Sequence, residues 1–248
     1  MNPLNLLTDP YERPARLYPA LLFLSPAIVS IIAVLSESLS TLQSLGALAV
    51  GCGLSFLITQ LARDAGKQSE AALFREWGGM PSVAIFRHRD PRIDAITKAR
   101  YHRTLAKLVK DADAPSTDDE SSDPAAADIV YTAWSTFLRN RTRDVKKYNI
   151  LFKENINYGY RRNVYGLRKL GAIATTVIIL ATIVWACFIY YKSATISVPV
   201  VGALAFDAVL LLLWLYRFSS TWVRIPADGY AERLAEATDT LSTEKART

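Results

Sequence analysis

Cysteine and histidine are scarce, with two of each in 248 residues. Cys52 and Cys187 are too few and too far apart for a disulfide framework or a zinc ribbon. No glycine-rich phosphate loop, nucleophile elbow or zinc-protease helix occurs anywhere in the chain. His88, Asp90, Asp94 and His102 could be imagined as a metal site. His102 lies a little over two helical turns beyond Asp94, so these residues do not converge by spacing. No metal and no cofactor is expected, and no catalytic residue is assigned. Basic residues are also missing, or nearly so, from two short loops. "SESLS" (36–40) has none, and the segment 192–197 has only Lys192.

What fills the chain instead is long apolar sequence. Hydrophobic residues make up 51%, concentrated in blocks near the two ends. The blocks are 18–35, 41–62, 170–191 and 198–218. A hydrocarbon core of about 30 Å takes roughly 20 helical residues, and a helix crosses lipid because it satisfies its own amides. Each block therefore reads as a transmembrane helix. The leader 1–17 carries Asp9, Pro10 and Glu12 and lacks the compact basic start of a cleaved signal. Both cysteines fall inside blocks and read as small buried hydrophobes.

Charge predicts the threading. Residues 63–169 hold 21 of the 29 Lys and Arg, and such residues accumulate on the cytoplasmic side. Both termini and the central segment are expected there. Tyr18, Trp185, Tyr190, Tyr191, Trp214 and Trp222 lie near span ends, where amphipathic rings prefer to sit. The expected fold is an all-α integral membrane protein: four transmembrane helices as two hairpins flanking a small helical cytosolic domain. Its parts are a leader (1–17), a hairpin (18–62), a basic insert (63–169), a second hairpin (170–218) and a C-terminal helix and tail (219–248).

Within the insert, the helix after span 2 should run on to Gly78-Gly79, with "GGMPSVAIF" extended beyond it. A helix is predicted to start at Asp90-Pro91. Its apolar stripe would hold Ile93, Ile96, Tyr101, Leu105 and Leu108, with an Asp94–Lys98 pair on its surface. The segment 111–128 has seven acids and no base and reads as a loop or disordered linker. Another helix is predicted from Asp123-Pro124, burying Ile129, Val130, Ala133, Trp134, Phe137 and Leu138. "PADGYAERLAEATDTL" reads as one more helix packed on the insert.

Two features suggest chemistry. Asp207 lies near the middle of the fourth block, where an ionised carboxylate costs roughly 2.5–3.5 kcal/mol. It reads either as part of a cation or proton pathway or as a neutral group bonded to Thr175, Thr176, Thr182 or Ser55. Small residues four apart in span 2 (Gly51 and Ser55, Ala49 and Gly53) would allow close helix approach. The second feature is a basic and aromatic set: Arg87, Arg89, Arg92, Arg141, Arg143, Arg161 and Arg162, with Tyr158 and Tyr160. Guanidinium forks grip phosphate oxygens, so these are candidate anion-binding residues. The same residues suit anionic lipid headgroups at a bilayer surface.

"FREWGGMPSVAIFRHRD", "TKARYHRTL" and "NRTRDVKKYNILFKENINYGYRRNVYGLR" together resemble a group of uncharacterised bacterial four-span membrane proteins. The layout of two hairpins around a cytosolic insert also resembles, in architecture only, the four-span membrane effectors of nucleotide-signalling antiphage systems. Both likenesses imply a location in the bacterial inner membrane. Asp207, the small-residue face and the basic-aromatic set motivate a non-enzymatic sensor or effector, whose insert would bind a nucleotide or another phosphorylated ligand while the spans of a homo-oligomer respond. Nucleic acid is not an expected partner. The competing readings are a membrane enzyme using His88, Asp90 and His102 as acid–base groups, and a membrane scaffold.

Overall fold

The computed structural model describes residues 9–35 and 41–245, with side-chain surroundings for 9–35 and 53–242. The loop 36–40, the small residues Gly46, Ala49 and Gly51, and Cys52 lie outside the residues whose side chains are described. All regular structure among the described residues is helical. After a π-helical turn, Arg13–Leu17, come α1 (Tyr18–Leu35), α2 (Thr41–Glu76), α3 (Pro81–Ala84), α4 (Ala95–Leu108), α5 (Thr117–Ser122), α6 (Pro124–Arg141), α7 (Asn149–Ser193) and α8 (Val198–Leu212). A second π-helical turn, Leu213–Arg217, leads to α9 (Ser220–Lys245).

Three helical stretches among the described residues are long and apolar enough to cross a membrane: Arg13–Leu35, Asn149–Ser193 and Val198–Arg217. Their outward sides carry aliphatic side chains such as Ile32, Ile173, Val184, Val209 and Leu215. A soluble surface does not tolerate so continuous an apolar face, and the chain is a membrane protein. The block 41–62 is helical as the first part of α2. Cys187 is exposed on α7, facing outward rather than buried as expected.

The chain divides into two compact units, 1–70 with 159–223 and 71–158 with 224–248. In the first unit, α1, α7 and α8 meet through Ala33, Ala186, Val200 and Ala203, with Val29, Trp185 and Leu204 alongside. Small residues at these positions let backbones come close. A close backbone approach joins α2 to α7. A Cβ placed on Gly166 would lie 2.4 Å from Gly66 N and 2.5 Å from Ala65 C. Of the small residues expected to serve this purpose, Gly53 has nothing within 4 Å of its Cβ position. The close contact falls one region further along α2.

The second unit is built on Ile85, Phe86, Tyr101, Leu105, Tyr131, Trp134, Leu138 and Leu234, all buried. α2 ends before Gly78 and Gly79, whose φ angles of +78° and +137° suit glycine. The segment expected to be extended instead folds into α3, with Pro81 in its first turn. α4 begins four residues later than predicted. Asp94 is its cap, accepting from Thr97 N at 2.9 Å, because the Asp90 carboxylate is already taken by Arg92. Lys98 does not pair with Asp94. It is buried, and its Nζ donates to the carbonyls of Arg87 (2.7 Å) and Asp90. Ile96 and Ile129, both expected inside, are 81% and 73% exposed.

The acidic segment is not disordered. Ser116 and Asp119 form a reciprocal capping box and α5 follows. Glu120 is buried, accepting from His88 N at 2.7 Å and from Tyr131 Oη at 2.8 Å. α6 starts at Pro124 as predicted, with Asp123 accepting from Ala126 N. The C-terminal helix packs on this unit through Ala231, Leu234 and Ala235.

Candidate functional site

The loop 87–92 of the second unit concentrates the guanidinium groups. Arg87 Nε and Nη2 form a two-point pair with Asp128, at 2.8 and 2.7 Å, and Nη1 donates to Gly78 O at 2.7 Å. Gly79 allows this placement, since a Cβ there would lie 2.6 Å from Arg87 Nη2. The hydrogen bonds that Arg87 donates to Asp128 raise the Arg87 pKa. Arg92 reaches Asp90 and Asp228, each at 2.7 Å. Burial pushes the Asp90 carboxyl up, but the hydrogen bonds and charge of Arg92 outweigh it and hold the carboxyl below its ordinary range. These two arginines are fixed from behind.

In front of them lies a cleft of about 180 Å³, lined in part by Trp77, Arg87, Arg89, Asp90, Arg92, Arg224 and Asp228. Four guanidinium groups face two carboxylates there. Arg89 and Arg224 keep 64% and 48% of their side chains exposed. Arg89 has Glu120 Oε1 only at 4.0 Å, and Arg224 meets Asp228 at 3.2 Å. The cleft thus has a rigid back and a loosely held front, suited to an anion with two or three acceptor oxygens. Arg224 and Asp228 come from α9, which the sequence reading left out of the basic set. Their i,i+4 spacing was the available signal.

His88 and His102 do meet, with ring centroids 4.8 Å apart. His102 is buried against Tyr131 and Trp134, and Phe86 O lies 2.7 Å from its Nε2. Burial drives its pKa down to about 4, so it is neutral at pH 7 and closed off from solvent. Asp90 is committed to Arg92. His88 is half-buried, with its Nε2 2.9 Å from Pro115 O. No group of three or more metal-type ligands occurs among the described residues.

The remaining candidates separate into two sets. Arg141 and Arg143 are exposed at the end of α6, with Arg141 over the Phe137 ring and Arg143 donating to Asn140. Arg161 and Arg162 belong to the packing of the first unit. Arg161 donates to Trp222 O at 2.9 Å and lies over that ring. Arg162 is buried and bonds Glu70 at 2.6 Å and Asn163 Oδ1. Asn163 Nδ2 donates to Ala15 O at 2.8 Å. Tyr160 stacks edge-on against Trp222, and Tyr158 is half-buried. Gly159, Asn163 and Gly166 recur at i, i+4 and i+7 on α7. They form a contact face against Tyr11, Ala15 and Gly66. Gly159 and Asn163 of the stretch "NYGYRRN" thus take part in helix packing.

Asp207 is fully buried in α8, and its Oδ2 accepts from Ser30 Oγ of α1 at 2.8 Å. Ser30 replaces the four partners expected from sequence. Oδ1 has no hydrogen-bond partner among the described residues.

Comparison with protein-family models, with curated proteins and with solved structures finds no match. Any functional reading therefore rests on the geometry alone.

Proposed function

We propose that the protein is a bacterial inner-membrane sensor-effector that works without catalysis. In this reading it crosses the bilayer four times, as hairpins 18–35/41–62 and 170–191/198–218. Residues 63–169 and both termini face the cytoplasm. The cytosolic domain takes an anion in the arginine cleft, and the spans of an oligomer respond, with Asp207 on an ion path. The three apolar helices, the helical course of 41–62 and the concentration of basic residues in 63–169 support the threading.

The observation that carries the functional reading is the pairing of two anchored arginines with two half-free ones around one cleft. At about 180 Å³ it is smaller than the roughly 300–1,000 Å³ of sites that enclose whole organic ligands. It suits the phosphoryl end of a nucleotide or other phosphorylated ligand, with the remainder outside. Arg224 directly follows Val223, the last residue assigned to the first unit, within the single helix α9. A ligand that draws in Arg224 thus acts on a helix that contributes to both units.

The test is calorimetric titration of the detergent-purified full chain with inorganic pyrophosphate and with nucleoside triphosphates. Binding is expected, weakened roughly ten-fold or more by Arg89→Ala or Arg224→Ala, since charged hydrogen bonds contribute about 1.5–3 kcal/mol. No binding, or equal binding by both variants, would contradict the proposal.

A further inference from the structure

We infer that the second unit assembles head to tail with further copies of this chain, the acidic segment of one copy seating on the basic turn of the next. The two surfaces lie toward opposite ends of α6, whose 18 residues span about 27 Å. At the C-terminal end, Arg139, Arg141, Arg143 and Lys146 are all exposed, with Asp144 as the one acid among them. At the N-terminal end, Asp118 and Asp123 are exposed, and beside the middle of α6 so are Asp111 and Asp113, flanking Ala112, whose carbonyl accepts from Trp134 Nε1; no base lies between 111 and 128.

Among the described residues, the basic side chains at the C-terminal end, like Arg103, which donates to Ala99 O, meet no carboxylate, while several others in the unit do. Arg87, Arg92, Arg100 and Arg233 each meet a carboxylate. Arg139 and Arg143 meet only the neutral Thr136 and Asn140, and Arg141 only the Phe137 ring. Complementarity to the helix macrodipole accounts for Asp123 and for Arg139 and Arg141 within the end turns of α6. It does not account for Asp111, Asp113, Arg143 and Lys146, which lie outside the helix. Each end also presents aliphatic surface: Val145 and Ile150, 45% and 60% exposed, beside the basic turn, and Ile129 near the acidic end. Apolar anchors inside a rim of opposite charge make a specific contact.

Such a contact joins two different patches of the same chain. It propagates, and it closes into a ring when the rotation permits. It concerns assembly alone and does not depend on the cleft's taking an anion.

The experiment is native mass spectrometry of the full chain in neutral detergent, at low and high salt, with a charge swap. The wild type is expected to be oligomeric at low salt and to dissociate as salt screens the contact. Arg141→Glu with Lys146→Glu should dissociate it, as should Asp113→Lys with Asp118→Lys. The four substitutions together should restore the oligomer. A monomeric wild type, assembly that survives both reversals, or a folded four-fold variant that stays dissociated would overturn the inference. So would a turn that is protected from trypsin only in vesicles containing anionic lipid, which would assign it to headgroups.

Discussion

Replacing Gly166 by alanine tests the close contact of α2 with α7. The new methyl would sit 2.4 Å from Gly66 N and 2.5 Å from Ala65 C, against an ordinary separation of about 3.5–4.0 Å. Both obstacles are backbone atoms, so rotamer change gives no relief and α2 and α7 must part by roughly 1 Å. Overpacking of this kind costs about 1–3 kcal/mol, offset by the roughly 1 kcal/mol gained from alanine over glycine in a helix. The net loss is about 0–2 kcal/mol, or a fall in Tm of up to roughly 8 °C at about 2–4 °C per kcal/mol. Gly53→Ala is the matched control. Its methyl meets nothing within 4 Å, so only the propensity gain remains and Tm should hold or rise. Both variants are read by tryptophan fluorescence during heating of the purified full chain, at one scan rate. If Gly166→Ala melts with or above Gly53→Ala, the close approach of α2 and α7 is refuted.

Ser30→Ala removes the hydrogen bond to Asp207 Oδ2 and should lower stability by about 1–3 kcal/mol. Adding Asp207→Leu should recover much of that loss, as measured by a double-mutant melting cycle; additive losses would show that the two residues do not interact. His102 has its pKa lowered from 6.5 to about 4, so between those values the unfolded chain binds more protons than the folded one. Stability should be full above about pH 6.5 and fall toward pH 4, by about 3 kcal/mol in total. Comparing denaturation midpoints of wild type and His102→Gln across pH 4–7 checks this, since the variant should lose that part of the slope.

The long elements were legible because their signals are long. The first apolar block coincides with α1, and the third lies inside α7. The stop at Gly78-Gly79 and the cap at Asp123 also appear where local chemistry places them. Competition between local signals was not legible. Asp90 and Asp94 both look like caps, and only the three-dimensional reach of Arg92 decides between them. The acidic segment looks like solvated linker, because nothing in its composition reveals that Glu120 meets His88 N–H and Tyr131 O–H. Of the candidate site residues, Arg87, Arg89 and Arg92 were readable as one cluster. Arg224 was not, because it joins them across more than a hundred residues of chain. Periodicity on α7 held the explanation of Gly159, Asn163 and Gly166, but those residues stand among tyrosines and arginines that suggest a ligand site.

Threading is tested most directly by single-cysteine labelling in a Cys52→Ser, Cys187→Ser background. Asp118→Cys and Thr195→Cys place the probe at exposed positions, and a membrane-impermeant maleimide is applied to right-side-out and inverted inner-membrane vesicles. The four-span arrangement predicts that Asp118→Cys reacts only in inverted vesicles and Thr195→Cys only in right-side-out ones. Reaction of Asp118→Cys from the outer face, or of Thr195→Cys from the inner face, would contradict it.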